Sequence, residues 1–274
     1  MFTLINNKKL ISLDKPLVMG ILNTNNDSFY AQSRVNNEAE LHAYVEKMVN
    51  AGVDIIDIGG QSTRPGSTRI GAEDELEAVL FSIQFIKQNY PKVQVSVDTY
   101  HAEVAQKAVL AGAGLVNDIS GGQYDGSMWQ TVAELQVPYI LMHTNEAISD
   151  MHVPKTTGSI LPPMIDFFVD KIERLRKMGV HDVVVDPGIG FGKTLAQNIE
   201  IIKNLSVFKM LGCPILVGLS RKSFIYKSLG KTADDVLTTS SALHFQCLLN
   251  GANILRVHDV AEAKELVDFC QIYK

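Results

Sequence analysis

The stretch VQVSVDTYHAEVAQKAVLAGAGLVN, residues 93–117, holds one complete copy of the pattern that decides the fold. Val93–Val97 is short and rich in β-branched side chains, which is typical of a buried strand. His101–Ala111 carries apolar residues at helical spacing, and Gly112 follows it, as is common where a helix ends. Leu115–Asn117 then begins another apolar strand. The stretch therefore predicts a strand, a helix and a second, parallel strand.

The same alternation of strand and helix continues along the chain of 274 residues. Short, continuous apolar runs are typical of strands in a parallel sheet that is covered on both faces. Eight such units match an α/β fold of the (β/α)8 TIM barrel type, whereas a doubly wound open sheet, the alternative, seldom holds so many. The predicted strands are Leu17–Leu22, Asp54–Ile58, Val93–Val97, Leu115–Asn117, Tyr139–Met142, Val183–Val185, Ile215–Val217 and Ile254–Val257, and the predicted helices lie near Glu38–Ala51, Glu73–Asn89, His101–Ala111, Met128–Leu135, Pro162–Met178, Leu195–Phe208, Ala233–Asn250 and Val260–Phe269.

A short segment, Phe2–Leu13, precedes the first barrel strand and is predicted to form a β-hairpin that turns at Asn6-Asn7. We expect this hairpin to cover the N-terminal end of the barrel. No linker or low-complexity tract divides the remaining sequence, which predicts a single domain over residues 1–274.

The composition argues against several classes of protein. Hydrophobic residues make up 46% of the chain and charged residues 20%, which is typical of a globular protein. The formal net charge is −5 and no long Lys/Arg cluster occurs, so we expect no nucleic-acid partner. Cys213, Cys247 and Cys270 form neither a disulfide framework nor a metal pair, and no apolar run is long enough to span a membrane. Without an evident signal peptide, the expected compartment is the cytoplasm.

Polar residues stand at or just after the end of every predicted strand. In TIM barrels the reaction centre lies at this end of the strands, so these side chains would converge on one rim. Because a buried charge needs a partner, a ligand or water, such a ring indicates a polar ligand. Asp57 and Asp118 are explained equally well as caps or turn residues. The rim residues include Asn23, Asp27, Asp57, Asp98, Asn117, Asp118, His143, Asp186, Lys222, Arg256 and His258.

One group of these residues suits a diphosphate. Arg256 and His258 lie two apart on a strand, so their side chains point the same way. Thr63 and Arg64 add a hydroxyl and a second guanidinium. Guanidinium groups match the geometry of phosphate oxygens, and the cluster therefore predicts a diphosphate site.

A second group suits a flat heterocycle that carries several ring N–H groups. Carboxylate and amide oxygens accept from such donors, a lysine donates to a ring carbonyl or nitrogen, and apolar side chains pack on the ring faces. The acceptors are Asp98, Asn117 and Asp186, the donor is Lys222, and the packing residues are Phe191 and Met142. The glycine-rich segment Gly188–Thr194 matches neither a P-loop nor the GxGxxG pattern.

Eight motifs of the chain, taken together, resemble the dihydropteroate synthase family of pterin-binding proteins. They occur in the family's order and span nearly the whole length. The motifs are VMGILN…DSF (Val18–Phe29), DIGGQSTRPG (Asp57–Gly66), SVDTY (Ser96–Tyr100), NDISGG (Asn117–Gly122), LMH (Leu141–His143), DPGIGFGK (Asp186–Lys193), GLSRKSFI (Gly218–Ile225) and RVHDV (Arg256–Val260).

The resemblance implies a TIM barrel that forms a homodimer. It also implies condensation of 6-hydroxymethyl-7,8-dihydropterin diphosphate with 4-aminobenzoate, which yields 7,8-dihydropteroate, a folate precursor, and releases diphosphate with the help of Mg²⁺. Sulfonamides are then expected to compete with 4-aminobenzoate.

The resemblance also assigns expected roles to individual residues. Lys222, Arg64 and Asp27 are the candidate catalytic residues, and Asn23 is the candidate Mg²⁺ ligand. The expected pterin contacts are Asp98, Asn117, Met142, Asp186, Phe191 and Lys222; the diphosphate contacts are Asn23, Thr63, Arg64, Arg256 and His258; and the 4-aminobenzoate contacts are Arg64, Pro65, Phe191, Lys222 and Ser223.

The first loop departs from the family pattern, because Asn25-Asn26 stands where the family has Thr-Pro. Proline restricts the backbone, so its loss would loosen this loop. Gln61 likewise replaces a glutamate. These changes leave open a first alternative, a pterin-binding paralogue with little or no catalytic activity. A second alternative is a pterin-dependent methyltransferase of related fold, which would have little use for the Arg256–His258 cluster.

Overall fold

The structure, a computed structural model, describes residues 2–6, 9–24, 34–61, 71–144, 152–154 and 158–273. Its strands follow the predicted order along the chain. They are β1 (Thr3–Asn6), β2 (Lys9–Ser12), β3 (Leu17–Asn23), β4 (Ile55–Gly59), β5 (Gln94–Asp98), β6 (Leu115–Asp118), β7 (Tyr139–Met142), β8 (Val183–Asp186), β9 (Leu216–Val217) and β10 (Ile254–Val257).

Helices connect successive strands of the barrel. The α-helices are α1 (Arg34–Asn50), α2 (Ala72–Asn89), α3 (Ala102–Leu110), α4 (Met128–Leu135), α5 (Leu161–Lys177), α6 (Leu195–Lys203), α7 (Ser223–Ser228), α8 (Leu237–Asn250) and α9 (Val260–Tyr273), and 3₁₀ turns cover Leu205–Leu211 and Asp234–Val236.

The strands β3 to β10 form one sheet in the order β8-β7-β6-β5-β4-β3-β10-β9. Every paired neighbour in this sheet runs parallel. The two ends of the order meet at a parallel bridge between Val185 and Ile215, which closes the sheet into a barrel. The predicted TIM barrel is therefore confirmed, and its closure brings the carboxyl ends of the strands to one rim.

Successive side chains of each strand point alternately to the helices and into the barrel. On β4, Ile56 and Ile58 pack in the outer core under the helices, whereas Ile55 packs in the inner core. Asp57 lies two residues after Ile55 and shares its inward face. The barrel interior is thus apolar at its N-terminal end and becomes polar toward the rim. The apolar inner layer comprises Met19, Ile55, Leu115, Ile140, Val184, Leu216 and Ile254, together with Leu4 and Leu13.

The N-terminal hairpin closes the apolar end of the barrel, as predicted. Leu4 and Leu13 are buried within the inner core, and Phe2 and Ile11 pack against it. The backbone N–H of Ile5 also donates to Asp182 Oδ2 at 2.7 Å. The hairpin strands pair from Thr3 with Ser12 to Asn6 with Lys9.

Four predicted helices miss an observed bound by four residues or more. Helix α1 begins at Arg34 rather than at Glu38, and α9 ends at Tyr273 rather than at Phe269. The other two are shorter than predicted, because 3₁₀ turns replace part of them. The helix predicted over Leu195–Phe208 ends at Lys203, where the side chain of Asn204 donates to the carbonyl oxygen of Glu200 at 2.8 Å. Asparagine side chains compete with the backbone for hydrogen bonds in this way, and the chain continues as a 3₁₀ turn.

The helix predicted over Ala233–Asn250 begins only at Leu237, after a 3₁₀ turn. The Asp235 carboxylate accepts hydrogen bonds from the backbone N–H and the hydroxyl of Thr232, at 3.2 and 2.6 Å, which tightens this turn. The helix Ser223–Ser228 was not predicted, and β9 begins at Leu216 rather than at Ile215.

Candidate active site

Buried polar side chains from separate strands lie together at the rim of the barrel. Asp98 ends β5, Asn117 lies on β6 and Asp186 ends β8, and each has less than a tenth of its surface exposed. Arg256 on β10 is inward-facing, two residues after the inner-core residue Ile254. The structure therefore brings together four of the residues that the sequence predicted for a polar ligand.

Arg256 joins the two predicted groups of ligand residues. Its Nε donates to Asp57 Oδ2 at 2.6 Å, and its Nη2 donates to Asp98 Oδ2. Asn117 Nδ2 also donates to Asp57 Oδ2, at 2.9 Å. Asp57, left open between a structural and a ligand role, thus orients Arg256 and Asn117 from the barrel interior.

Two of the rim carboxyl groups hold their protons more tightly than usual. Burial raises the pKa of Asp98 to about 7, with Asp57 adding to the effect and Arg256 opposing it. Burial also raises the pKa of Asp186, although the backbone N–H of Gly188 donates to its carboxylate at 2.7 Å. Buried carboxyls with raised pKa values favour a ligand whose N–H groups would stabilise the ionised form.

Lys222 reaches into the same rim from the loop after β9. Its Nζ lies 3.9 Å from the ring centroid of Phe191, which is cation–π distance. Burial and the nearby Arg256 lower the pKa of Lys222 to about 8, while Asp186 and Asp98 act in the opposite direction. Ser223 follows directly and begins α7. An amine held in this environment is suited to donating to a neutral or anionic ligand atom.

His258 lies beside Arg256 just beyond the end of β10. Its Nδ1 is 3.3 Å from Ser220 Oγ, and its backbone N–H points to the same hydroxyl at 3.4 Å. Burial and the charge of Arg256 lower the pKa of His258 to about 4. The imidazole is therefore neutral near pH 7, and an added anion would raise its pKa.

An apolar wall borders the polar rim. Tyr100, Ile119, Met142 and Phe191 form one buried cluster, which includes the two ring-packing residues predicted from the sequence. His152 stacks on Phe191 with the ring centroids 5.5 Å apart. Tyr100 and Ile119 were missed because neither differs in the sequence from an ordinary core residue, although Tyr100 lies two residues after Asp98 in SVDTY and Ile119 two residues after Asn117 in NDISGG.

The glycine-rich loop after β8 is held by a buried lysine. Lys193 Nζ donates to the carbonyl oxygens of His143, Gly188 and Phe191 at 3.2, 2.8 and 2.9 Å. Gly188 has φ +63°, and a Cβ there would lie 2.1 Å from the carbonyl oxygen of His143. The loop therefore has a structural lysine instead of the phosphate-binding lysine of a P-loop, which agrees with the failed motif match.

Asp118 has the structural role that the sequence left open. Its carboxylate accepts from the backbone N–H groups of Ser120 and Gly122 at 2.7 and 2.9 Å, and from the Tyr139 hydroxyl at 2.7 Å. These contacts hold the loop after β6 and tie it to the neighbouring strand.

Several predicted site residues lie outside the described part of the chain. They are Asp27, Thr63, Arg64 and Pro65, together with Asn25 and Asn26 of the altered loop. Their assigned roles therefore stay predictions. Gln61, by contrast, is described and buried.

Asn23 ends β3 in register with Gly59, which is itself in register with Asp98 on the next strand. The described residues contain no cluster of three or more His, Cys, Asp or Glu side chains that could hold a metal alone. Mg²⁺ in proteins commonly keeps several waters and takes one or two protein oxygens beside substrate phosphates. A single amide oxygen next to the Arg256–His258 side of the rim fits that mode of binding.

The described helices also bear on membrane association. None of them combines the length and the apolar character needed to cross a bilayer.

These features define a TIM-barrel protein with a ligand site of polar groups and one apolar wall at the strand ends. Residues 19–258 match the pterin binding enzyme family. The dihydropteroate synthase of Synechocystis sp. is 39% identical over 258 residues, which cover 93% of this chain and 88% of that protein. The chain belongs to this family of pterin-binding enzymes and, within it, to the dihydropteroate synthases.

Other relatives support the same placement. The folic acid synthesis protein of Pneumocystis carinii is 40% identical over 260 residues, which cover 89% of this chain but only 34% of that longer protein. The crystal structure of dihydropteroate synthase from Clostridium difficile, obtained in the presence of pteroic acid, has a TM-score of 0.89 at 34% identity and covers 100% of this chain and 99% of that one. The Xanthomonas albilineans enzyme with 4-aminobenzoic acid has a TM-score of 0.89 at 33% identity, covering 99% and 97%.

Proposed function

We propose that this chain condenses 6-hydroxymethyl-7,8-dihydropterin diphosphate with 4-aminobenzoate to form 7,8-dihydropteroate and diphosphate. The observation that carries the proposal is the convergence of Asp98, Asn117, Asp186, Lys222 and Arg256 at one rim. The family to which the chain belongs has this activity, and relatives in this fold are seen with pteroic acid and with 4-aminobenzoic acid.

The pterin ring would lie against the apolar wall with its edge toward the carboxylates. Asp98 and Asp186 would accept from ring N–H groups, and binding such donors would favour their ionised forms. Asn117 Nδ2 donates one hydrogen to Asp57 at 2.9 Å, so its amide oxygen and second N–H would be available to the ring. Met142 and Phe191 would pack on the ring faces.

The diphosphate would lie on the side of Arg256 and His258, with Thr63 and Arg64 of the second loop as further contacts. Cleavage of the C–O bond places growing negative charge on the leaving diphosphate. Arg256 and His258 would stabilise that charge where it develops in the transition state. Mg²⁺ held by Asn23 would supply further stabilisation of the same charge when bound.

The arylamine would attack the pterin methylene from the side of Lys222 and Ser223. As the C–O bond breaks, the methylene gains positive character and the diphosphate takes the electron pair. The amine nitrogen then forms the new C–N bond and loses a proton. An arylamine is already neutral near pH 7, so no strong base is required. We propose Arg64, Pro65 and Phe191 as the remaining contacts of 4-aminobenzoate, with Asp27 and Arg64 acting beside Lys222 at the reacting atoms.

Three further properties belong to the same proposal. The protein would act as a homodimer, as the family resemblance implies. Sulfonamides would compete with 4-aminobenzoate, whose shape and charge they share. The three buried cysteines, none of which forms a disulfide, support work in the reducing cytoplasm.

Turnover of the purified chain tests the proposal. With both substrates and Mg²⁺, we expect 7,8-dihydropteroate to accumulate, and a sulfonamide to raise the KM for 4-aminobenzoate without lowering kcat. A folded protein that binds the pterin diphosphate but forms no product would favour the non-catalytic paralogue. In that case, changing Asn25→Thr together with Asn26→Pro should restore turnover. A pterin-dependent methyltransferase would instead show no diphosphate binding by calorimetry.

A further inference from the structure

Arg221, between Ser220 and Lys222, has an unusual backbone conformation. Its φ is +55°, in the left-handed region that residues with a Cβ rarely occupy. Such strain persists only where the surrounding structure imposes it, and it is concentrated at functional sites. The conformation therefore calls for contacts that hold Arg221 in place.

Those contacts are two carboxylates from different elements. Nε and Nη2 of Arg221 donate to the two oxygens of Asp259 at 2.9 and 2.8 Å, a bidentate pair. Nη1 donates to Asp234 at 2.7 Å. The Asp259 pair is mostly buried, with 24% and 19% of the two side chains exposed, whereas Asp234 is 92% exposed. The bidentate pair with Asp259 is therefore the stronger tie.

The backbone of Arg221 is tied as well. Its N–H points to Ser240 Oγ of α8 at 3.3 Å. The preceding residue, Ser220, approaches both the N–H and Nδ1 of His258 through its hydroxyl. The loop after β9 is thus joined side by side to the loop after β10, at positions where the strands themselves no longer pair.

The pairing of β9 with β10 cannot set the distance between the two loops that follow these strands. The pairing between β9 and β10 covers only Leu216 with Ile254 and Val217 with Leu255. Lys222 lies five residues beyond Val217, and its direction depends on the turn that Arg221 makes. Arg221 points to Asp259 while the adjacent Lys222 points to Phe191, at 3.9 Å from Nζ to the ring centroid.

We propose that Arg221 and Asp259 form a clamp that positions Lys222 and His258 relative to each other. This inference rests on the proposed function, in which Lys222 serves the arylamine side and His258 the diphosphate side. Arg221 is a positioning residue here, because it acts through its neighbours rather than through contact with substrate. The clamp would hold the two sides of the reaction at one separation.

The main test uses Asp259→Asn. A positioning role of Arg221 and a purely electrostatic role predict opposite changes in the affinity of this variant for inorganic diphosphate. Asp259→Asn keeps the Arg221 cation and removes a nearby anion, so an electrostatic role for Arg221 predicts tighter binding of inorganic diphosphate. The clamp predicts weaker diphosphate binding, by about fivefold or more by calorimetry with Mg²⁺, since small misplacements are costly at such sites. Tighter binding in Asp259→Asn would overturn the proposal.

Arg221→Gly and Arg221→Ala complete the test. Glycine accepts the positive φ without strain, so Arg221→Gly should fold even though the clamp is lost. Both variants should lower kcat/KM for 4-aminobenzoate by about tenfold or more, and the Arg221→Gly/Asp259→Asn double variant should be no worse than the worse single variant. Lys177→Ala, which breaks the exposed Lys177–Glu173 pair (2.6 Å), is the control and should leave both readouts unchanged.

The outcomes separate the clamp from the proposed function. If the wild-type chain shows no turnover, the proposed function fails, and diphosphate binding still reports on the clamp. Wild-type values of turnover and diphosphate affinity in Arg221→Gly would overturn the clamp alone, as would additive losses in the double variant.

Discussion

Asp57 offers a sharp test of the site, because it organises the ligand residues from within the barrel. It is fully buried, and its Oδ2 accepts from Arg256 Nε at 2.6 Å and from Asn117 Nδ2 at 2.9 Å. Asp57→Ala would leave both donors without this partner. Removing one member of a buried ion pair costs about 3–5 kcal/mol. Because Arg256 keeps Asp98, we expect a loss at the lower end of this range, about 3 kcal/mol in the free energy of unfolding by urea.

Asp57→Asn separates charge from shape at the same position. The amide oxygen can still accept a hydrogen bond, so the stability loss should be about 1 kcal/mol. The charge of Asp57, however, contributes to the raised pKa of Asp98. Its removal should therefore lower the pKa of Asp98.

The assay is pterin affinity against pH, measured by calorimetry with 6-hydroxymethylpterin. Since Asp98 must be ionised to accept ring N–H groups, affinity should rise with pH up to about 7 in the wild type. The midpoint should move to lower pH in Asp57→Asn. The effect of pH on folding stability has the opposite sign. Unfolded Asp98 loses its proton near the ordinary pKa of 3.8, whereas folded Asp98 keeps it up to about 7. The contribution of Asp98 to the free energy of unfolding therefore falls as pH rises between these two values. An unchanged binding profile in Asp57→Asn would refute the coupling.

Three further predictions address other parts of the site. Asp186→Ala should weaken pterin binding by about 1–3 kcal/mol, because ring donors lose an acceptor, and unchanged affinity in calorimetry would mean that Asp186 only caps the Gly188 N–H. Gly188→Ala should destabilise the fold by more than about 3 kcal/mol, because the new Cβ would lie 2.1 Å from the His143 carbonyl oxygen. Gly212→Ala, at a similar φ of +64° but with open space around it, should cost only about 1–2 kcal/mol. Equal losses for the two variants in urea unfolding would contradict this reasoning. Burial lowers the pKa of His244 to about 4, below its ordinary 6.5, so stability should be lost as pH falls through that window, and His244→Gln should lose less; parallel unfolding curves against pH for the two proteins would count against it.

Much of the fold could be predicted because apolar side chains repeat with different periods in strands and in helices. Ile55 and Asp57 share one face of β4 while Ile56 and Ile58 take the other, and this alternation places polar residues inward only near the strand ends. The helix ends were harder to predict, since the break after Lys203 depends on one hydrogen bond from the Asn204 side chain.

The polar residues at the strand ends could be predicted from the sequence, whereas Tyr100 and Ile119 of the apolar wall and the contacts within the site could not. Asp98, Asn117, Asp186 and Arg256 were found because each lies at a strand end. The Asp57–Arg256–Asp98 contacts join residues far apart in sequence, so no local pattern reports them. The left-handed Arg221 and the carbonyl cage around Lys193 likewise arise from packing, because both residues read as ordinary cations in the sequence.

The central claim is that this rim couples loss of diphosphate to attack by an arylamine. The most direct measurement follows diphosphate and 7,8-dihydropteroate together in one reaction with Mg²⁺ and both substrates. The account predicts equimolar release that requires 4-aminobenzoate and is lost in Asp186→Ala and Lys222→Ala. Diphosphate release without 7,8-dihydropteroate, or neither product from a folded chain that binds the pterin diphosphate, would contradict it.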